Sequence, residues 1–384
     1  MANLFKEKLN ANNKRIGVFF LTGAPVHLGH YQAVVQAKRE NDGCVVILSG
    51  RKGDRGDDIG LPLHKRFRYT RELFADDKEV YVTYVDETDM PDYPLGWEPW
   101  LEAVTEEVNK ACSGQPKEYI WYVGEEDYKK ELENRLDDSH TVKLLDRSVL
   151  PISGTLIRSK PLRYWNYITR PFRRHFSMNI LITGTASGGK TTLVRDLARS
   201  LGATFTDEYA RRYEEESNIS DEELVASDFQ YLASGQFDNN QKAIQSPANN
   251  GIFIADSNVT TTRLYSEEYL TEDEHVALLP SYKMLEKREK WDLILIVPPV
   301  TEYVDDGFRD MSHANDETRQ RMHNRLLEMI RENGWLDETI LLDAPGTESD
   351  PEGFYSRYKQ ALEIITYYYE HLGGKSHREP EVFI

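Results

Sequence analysis

Met178-Asn-Ile-Leu-Ile-Thr-Gly-Thr-Ala-Ser-Gly-Gly-Lys-Thr-Thr-Leu-Val-Arg-Asp-Leu-Ala-Arg-Ser-Leu201 decides the fold of the second half of this 384-residue chain. An apolar run, MNILIT, reads as a buried strand, and TTLVRDLARSL reads as an amphipathic helix. Between them, Gly184 to Thr191 fits GxxxxGK[ST] without exception. Gly184, Gly188 and Gly189 permit a tight loop whose backbone N–H groups face phosphates, reinforced by the positive end of the helix. In that setting Lys190 reaches the β- and γ-phosphates of ATP, and the Thr191 hydroxyl is a ligand for Mg2+. The acidic partner for the metal is Asp256, which ends the apolar run GIFIAD.

A kinase acting on an alcohol needs a carboxylate to accept the hydroxyl proton. Asp207, Glu208 and Asp256 are the candidates, and the sequence leaves the choice among them open. Asp305-Asp306-Gly307-Phe308-Arg309, with Arg319 and Arg321 nearby, reads equally well as a lid over transferring phosphates or as a turn before a charged helix.

Upstream, apolar runs at 15–21, 44–49, 80–85, 119–123 and 142–145 alternate with helical patterns at 29–40, 64–74, 97–112 and 126–136. Further strands are expected at 251–256, 292–297 and 339–343, and a last helix at about 353–371 with Tyr355, Tyr358, Leu362, Ile365 and Tyr369 as its packing face. The alternation predicts an α/β protein with two parallel-sheet domains, the second carrying the phosphate loop. The basic, aromatic stretch PLRYWNYITRPFRRHF breaks the rhythm, so the expected boundaries are 1–160, a linker at 161–176, and 177–384.

After the first strand comes Thr22-Gly23-Ala-Pro-Val-His27-Leu-Gly29-His30. Three-residue spacing places His27 and His30 on one face of a helix's first turn, beside its positive end. Far downstream, Ser153, Thr155 and Arg158 lie in ISGTLIR, which in isolation is a helix cap. Trp97, in YPLGWEPW, offers a face for a flat ring or simple packing. Arg66, in a basic helix, is a candidate for the phosphate crevice. Zinc is not expected, since neither Cys44 nor Cys112 is close to the histidines in sequence.

The net charge of −18 disfavours a surface that grips nucleic acid as a whole. Two cysteines are too few for a disulfide framework. With no apolar leader and no run long enough for a bilayer, the sequence reads as soluble and cytoplasmic, with no membrane partner.

HxGH, YPLGWEPW, ISGTLIR, PLRYW, the phosphate loop and EYVDDGFR occur together in this order, and the chain closely resembles the NadR-type bifunctional nicotinamide mononucleotide adenylyltransferase/ribosylnicotinamide kinase. It departs from that pattern at Ala24, where an aromatic residue is frequent. The resemblance implies a Rossmann-like nucleotidylyltransferase as the N-terminal domain and a P-loop kinase as the C-terminal one. It implies further that the second half phosphorylates nicotinamide riboside with ATP to nicotinamide mononucleotide (NMN), and that the first half joins NMN to ATP, giving NAD and pyrophosphate. It implies roles for His27, His30 and Arg158 on phosphates, with Thr22, Gly23, Gly29, Ser153 and Thr155 in the ATP site. Trp97 would stack on nicotinamide. Glu208 and Arg211 match an EYxR element, and Asp306 and Arg309 the lid. About fifteen residues precede the first strand, too few for the helix-turn-helix of some members, so no DNA binding is expected. Alternatives are a nucleoside kinase fused to a degenerate nucleotide sensor, or an NAD-responsive transcriptional regulator. A homo-oligomer is left open.

Overall fold

The computed structural model describes residues 7–146, 148, 150–305 and 310–371. The chain forms two compact units, one up to Phe176 and one from Ser177. Asp306 and Arg309 fall outside the described residues.

In the first unit the chain runs β1 (Leu9–Asn10), β2 (Arg15–Leu21), α1 (Leu28–Glu40), β3 (Cys44–Gly50), α2 (Leu63–Leu73), β4 (Val80–Asp86), α3 (Trp97–Ala111), β5 (Cys112–Ser113), β6 (Glu118–Val123), α4 (Glu126–Glu133), β7 (His140–Leu144), α5 (Gly154–Ser159) and α6 (Arg170–Phe176). Five strands form a parallel sheet in the order β4-β3-β2-β6-β7. Central strands of such a sheet are covered on both faces, which is why β3 reads as an unbroken apolar run and is buried at all seven positions. The chain builds outward from β2 to β3 and β4, then returns to β6 on β2's other side. That reversal opens a crevice at the carboxyl end of β2, where the histidine motif begins. Residues 161–176 include α6, which packs on α2: Phe172 meets Tyr69 edge-on at 5.3 Å, and the Arg174 guanidinium lies 3.9 Å from the Tyr69 ring centroid.

The second unit contains β8 (Met178–Thr183), α7 (Lys190–Leu201), β9 (Thr204–Thr206), α8 (Tyr209–Ser217), α9 (Ala226–Ile244), β10 (Ile252–Ala255), α10 (Val259–Tyr269), α11 (Glu272–Glu286), β11 (Leu293–Ile296), α12 (Asp316–Glu332), β12 (Thr339–Leu341) and α13 (Phe354–His371). Its sheet is again parallel, in the order β12-β11-β8-β10-β9. Leu181, Phe253, Ile294 and Ile296 of the strands join Leu264, Met322, Leu326 and Met329 of the helices in its core. The fold class is the one that the strand–helix alternation predicts.

The last helix differs from expectation. α13 buries Arg357, Ala361 and Ile365, whereas Tyr355 and Tyr369 are exposed. Among the described residues no helix is long and apolar enough to cross a membrane.

Candidate functional site

In the first unit β2 ends at Leu21, and the loop that follows leads to His27, the residue capping α1. His27 is buried and stacks on His30, with ring centroids 3.7 Å apart and planes at 21°. The His27 backbone N–H donates to His30 Nδ1 at 3.4 Å, so the first turn of α1 holds both rings together. α5 closes the crevice from the far end of the unit. Ser153 Oγ caps it, accepting from the Leu156 N–H at 3.3 Å. One turn on, Arg158 donates Nη1 to the Ala24 carbonyl at 2.7 Å and Nη2 to Thr155 Oγ1 at 3.0 Å.

Thr22, Gly23, His27, Gly29, His30, Ser153, Thr155 and Arg158 all line one cavity of about 910 Å3. The sequence reading missed further members of its wall. Arg55 donates to Thr22 Oγ1 at 2.7 Å. Burial, joined by the positive charge of Arg55, lowers the pKa of Arg158. Two guanidinium groups facing one space repel until an anion lies between them.

Two sequence candidates lie behind this wall. Arg66 has no exposed surface and is not among the lining residues. Its Nη2 pairs with Asp54 Oδ2 at 2.7 Å and its Nη1 donates to the Thr22 carbonyl at 2.8 Å, so it holds the loops that carry Thr22 and Arg55. Burial would raise the Asp54 carboxyl, but the Asp57 and Gly56 amides and the Arg66 charge outweigh it and hold its pKa below the usual value. Trp97 is likewise absent from the lining; Trp100 and Tyr128 are present. The Trp97 ring meets these two edge-on at 5.3 and 5.4 Å. Trp100 Nε1 donates to Ser49 Oγ at 2.9 Å, and Ser49 in turn donates to Glu87.

In the second unit the loop 184–189 carries the backbone its glycines permit. Gly184 sits at φ +149°, and a Cβ there would lie 2.4 Å from the Val297 carbonyl oxygen. Gly189, at φ +79°, opens α7. Lys190 Nζ donates to the Thr185 carbonyl at 2.9 Å. Thr191 Oγ1 donates to Asp256 Oδ2 at 2.5 Å. The other Asp256 oxygen is buried with no hydrogen-bond partner among the described residues. Burial pushes this carboxyl up to about 7, against the opposing charge of Lys190. An orphaned carboxylate oxygen beside a threonine hydroxyl suits a hard cation that takes its remaining ligands from phosphate and water, so these residues fit Mg2+.

A cavity of about 180 Å3 adjoins the loop. Gly188, Gly189, Lys190, Thr191, Glu208 and Arg211 line it, but Asp207 does not; its carboxylate pairs with Arg195 at 3.0 Å on the surface. Glu214, which lies in the charged run YARRYEEES and was not among the sequence candidates, is only 3% exposed and lines this cavity. Nor are the arginines beyond the EYVDDGFR segment aimed at phosphates. Buried Arg319 donates to the Thr301 carbonyl at 2.6 Å, while Arg321 forks onto Glu268 at 2.6 and 2.7 Å. Thr301 Oγ1 reaches the Ser187 carbonyl at 2.5 Å, and the Val304 N–H donates to Ser187 Oγ at 3.0 Å, tying this connection to the phosphate loop.

The family described as AAA domain matches residues 179–341. The trifunctional NAD biosynthesis/regulator protein NadR of Salmonella typhimurium (strain LT2) is 30% identical over 329 residues, which cover 83% of this chain and 77% of that protein. Its counterpart from Escherichia coli (strain K12) is 28% identical over 363 residues, covering 92% and 83%. A solved structure of NadR protein in complex with NR has a TM-score of 0.85 at 38% identity, covering 98% of this chain and 99% of that one. A second, in complex with NAD and AMP-PNP, has a TM-score of 0.84 at 38% identity, covering 97% and 99%.

Proposed function

The chain belongs to the NadR family, and from that membership we propose a division of labour between its two cavities. The protein is a bifunctional enzyme of NAD biosynthesis, an NMN adenylyltransferase and a ribosylnicotinamide kinase that uses ATP. The first-unit cavity is the adenylyl-transfer site. There an NMN phosphate oxygen attacks the α-phosphorus of ATP, the bond to the bridging oxygen breaks, and pyrophosphate leaves. The attacking phosphate is already ionised, so no general base is required. Alignment of two anions and neutralisation of charge at phosphorus do the work. His27, His30, Arg158 and Arg55 supply that charge and those donors. Arg66 is a positioning residue for this site. Trp100 and Tyr128 form the aromatic wall for a flat ring, backed by Trp97.

The second-unit cavity is the kinase site. The 5′-hydroxyl of nicotinamide riboside attacks the γ-phosphorus of ATP, ADP leaves, and the hydroxyl proton passes to a carboxylate. Glu208 is that carboxylate: it lines the cavity, whereas Asp207 is paired on the surface and Asp256 is held by Thr191. Thr191 and Asp256 would hold Mg2+, which supplies charge neutralisation on the β- and γ-phosphates. Lys190 is within reach of the same phosphates once it exchanges the Thr185 carbonyl for them.

The observation that carries this reading is that each unit has its own cavity and its own cluster of candidate phosphate-binding groups, His27, His30 and Arg158 in the first, Lys190, Thr191 and Asp256 in the second. Incubation with nicotinamide riboside and Mg-ATP tests it, with NMN and NAD followed over time. His30→Ala should accumulate NMN without NAD. Lys190→Ala should make no NMN, yet convert supplied NMN to NAD. If each variant lost both conversions, the division of labour would be wrong.

A further inference from the structure

The strand ends that carry Glu208 and Asp256 are neighbours. β9 and β10 run parallel with Thr206 opposite Ala255, and the Asp256 N–H donates to the Thr206 carbonyl at 3.0 Å. Beyond these points the two segments diverge, one to Glu208 at the start of α8, the other through Asp256 to Ser257. Glu208 makes no side-chain capping bond to its helix, so the place of its carboxylate depends on the backbone that carries it.

α9 packs against both strands and offers them two carboxamides one turn apart. Gln236 and Asn240 are each only 2% exposed. Asn240 Nδ2 donates to the Ser257 carbonyl at 3.2 Å. Asn240 Oδ1 accepts from Thr206 Oγ1 at 2.7 Å and from Gln236 Nε2 at 3.0 Å. Gln236 Oε1 in turn accepts from the Tyr209 N–H at 2.7 Å. The residues so joined flank the two acids: Thr206 and Tyr209 stand on either side of Glu208, and Ser257 follows Asp256. Neither amide can turn over. Flipping Asn240 would set its oxygen against the Ser257 carbonyl, and flipping Gln236 would set its NH2 against the Tyr209 N–H. Leucine and methionine would fill the same space; buried carboxamides are tolerated there only because their bonds are made. α9 also approaches α8 closely, since a Cβ on Gly235 would lie 2.2 Å from Tyr209 Cε1.

We propose that Asn240 is a positioning residue for the kinase, holding the backbone of Glu208 at a fixed separation from that of Asp256. The inference rests on the kinase reading above. Glu208 must meet the riboside hydroxyl while Asp256 serves the phosphates, and a relative shift of about 1 Å can cost about a hundredfold in rate. Asn240 and Thr206 do not line the cavity, so their influence on the reaction passes through the two acids and not through contact with substrate. The signature is therefore a loss in kcat with binding preserved.

Asn240→Leu keeps the branching of the side chain and removes its three bonds. Thr206→Val keeps the shape and removes one. With nicotinamide riboside and Mg-ATP, the full chain carrying Asn240→Leu should lose about ten- to a hundredfold in kcat, and Thr206→Val about three- to tenfold. Calorimetric titration should find Kd for nicotinamide riboside and for Mg-ATP changed by less than about threefold, and its stoichiometry counts the folded kinase units. Glu208→Gln removes the proton acceptor and should cost about 100- to 10,000-fold. In that background Asn240→Leu should lower kcat by less than about twofold, because no acceptor is left to misplace.

The same factor for Asn240→Leu in both backgrounds, or a loss confined to Kd, would make Asn240 a structural residue and overturn the proposal. Unchanged kcat in both variants would do the same, and each of these results leaves the kinase reading in place. If Asn240→Leu does not fold, Thr206→Val decides by the same comparison with and without Glu208→Gln. Full activity of Glu208→Gln would remove the base from the kinase reading, and the proposal with it. A wild-type chain that phosphorylated no riboside would end that reading altogether.

Discussion

Replacing Arg66 by alanine separates a residue that touches substrate from one that holds the site in shape. Its guanidinium is enclosed: an added Cβ at Gly50 would come within 2.7 Å of Nη2, and one at Gly56 within 2.9 Å of Cζ. The variant removes the ion pair to Asp54 and the bond to the Thr22 carbonyl, and leaves Asp54, only 12% exposed, without its counter-charge. Breaking a buried pair from one side costs about 3–5 kcal/mol. For a unit of this size each kcal/mol moves the unfolding midpoint by about 2–4 °C, so the first unit should melt about 6–20 °C earlier. Calorimetry of the full chain measures that shift, with riboside phosphorylation on the same sample as the internal control. At a temperature where the variant is still folded, kcat/KM for adenylyl transfer should fall less than about tenfold, because Arg55 and Arg158 remain. An unchanged midpoint with a loss of about a hundredfold or more would refute this, and would return Arg66 to the phosphate contact that its helix suggested.

Gly184→Ala forces a side chain into a backbone conformation at φ +149° and against the Val297 carbonyl, a contact that no rotamer change relieves. It should cost the second unit about 3 kcal/mol and abolish the kinase while sparing NAD formation from NMN; a fully active kinase in this variant would sink the account of the loop. Glu40 joins α1 to β6 and β7 by accepting from Gln36, Tyr122 and Lys143, each at 2.8 Å. Lys143, then Gln36 and Tyr122, hold its carboxyl at about 2, from an ordinary 4.5. A depressed carboxyl stabilises the fold above its unfolded pKa and loses that share as pH falls toward the folded one, here from about 4.5 to about 2. Because Glu40 is 37% exposed, the share is below about 1 kcal/mol. Glu40→Gln should therefore narrow its gap to wild type in urea denaturation as pH drops through that window. A gap of constant size would assign the effect to packing.

What could be read from the chain alone follows from range. Strands such as β3 and β8 announce themselves because a parallel sheet's interior demands continuous apolar residues, a local property of the sequence. The phosphate loop is legible for the same reason: strand, glycines, lysine and helix are contiguous, and nothing distant is needed to recognise them. Charged residues were the failures. Arg66 and Glu214 sit in runs that look solvated, yet residues distant in sequence bury both, and no local pattern announces it. Trp97 and Trp100 are three residues apart, and no local rule says which of the two reaches the cavity. For Arg319 the sequence left two readings open, a lid or a turn before a charged helix; the structure places it in α12, with Nη1 donating to the Thr301 carbonyl eighteen positions away.

The bond from Arg158 to the Ala24 carbonyl spans 134 positions, nearly the whole first unit. During synthesis at roughly 5–20 residues per second, about 7–27 s separate the appearance of its two ends. The histidine loop therefore exists for many seconds as half a site, unable to complete its arginine side. Once Phe176 has emerged from the ribosome the first unit can close, while most of the second remains to be made. A nascent chain could thus adenylylate NMN before its own kinase exists, whereas the reverse order is closed to it.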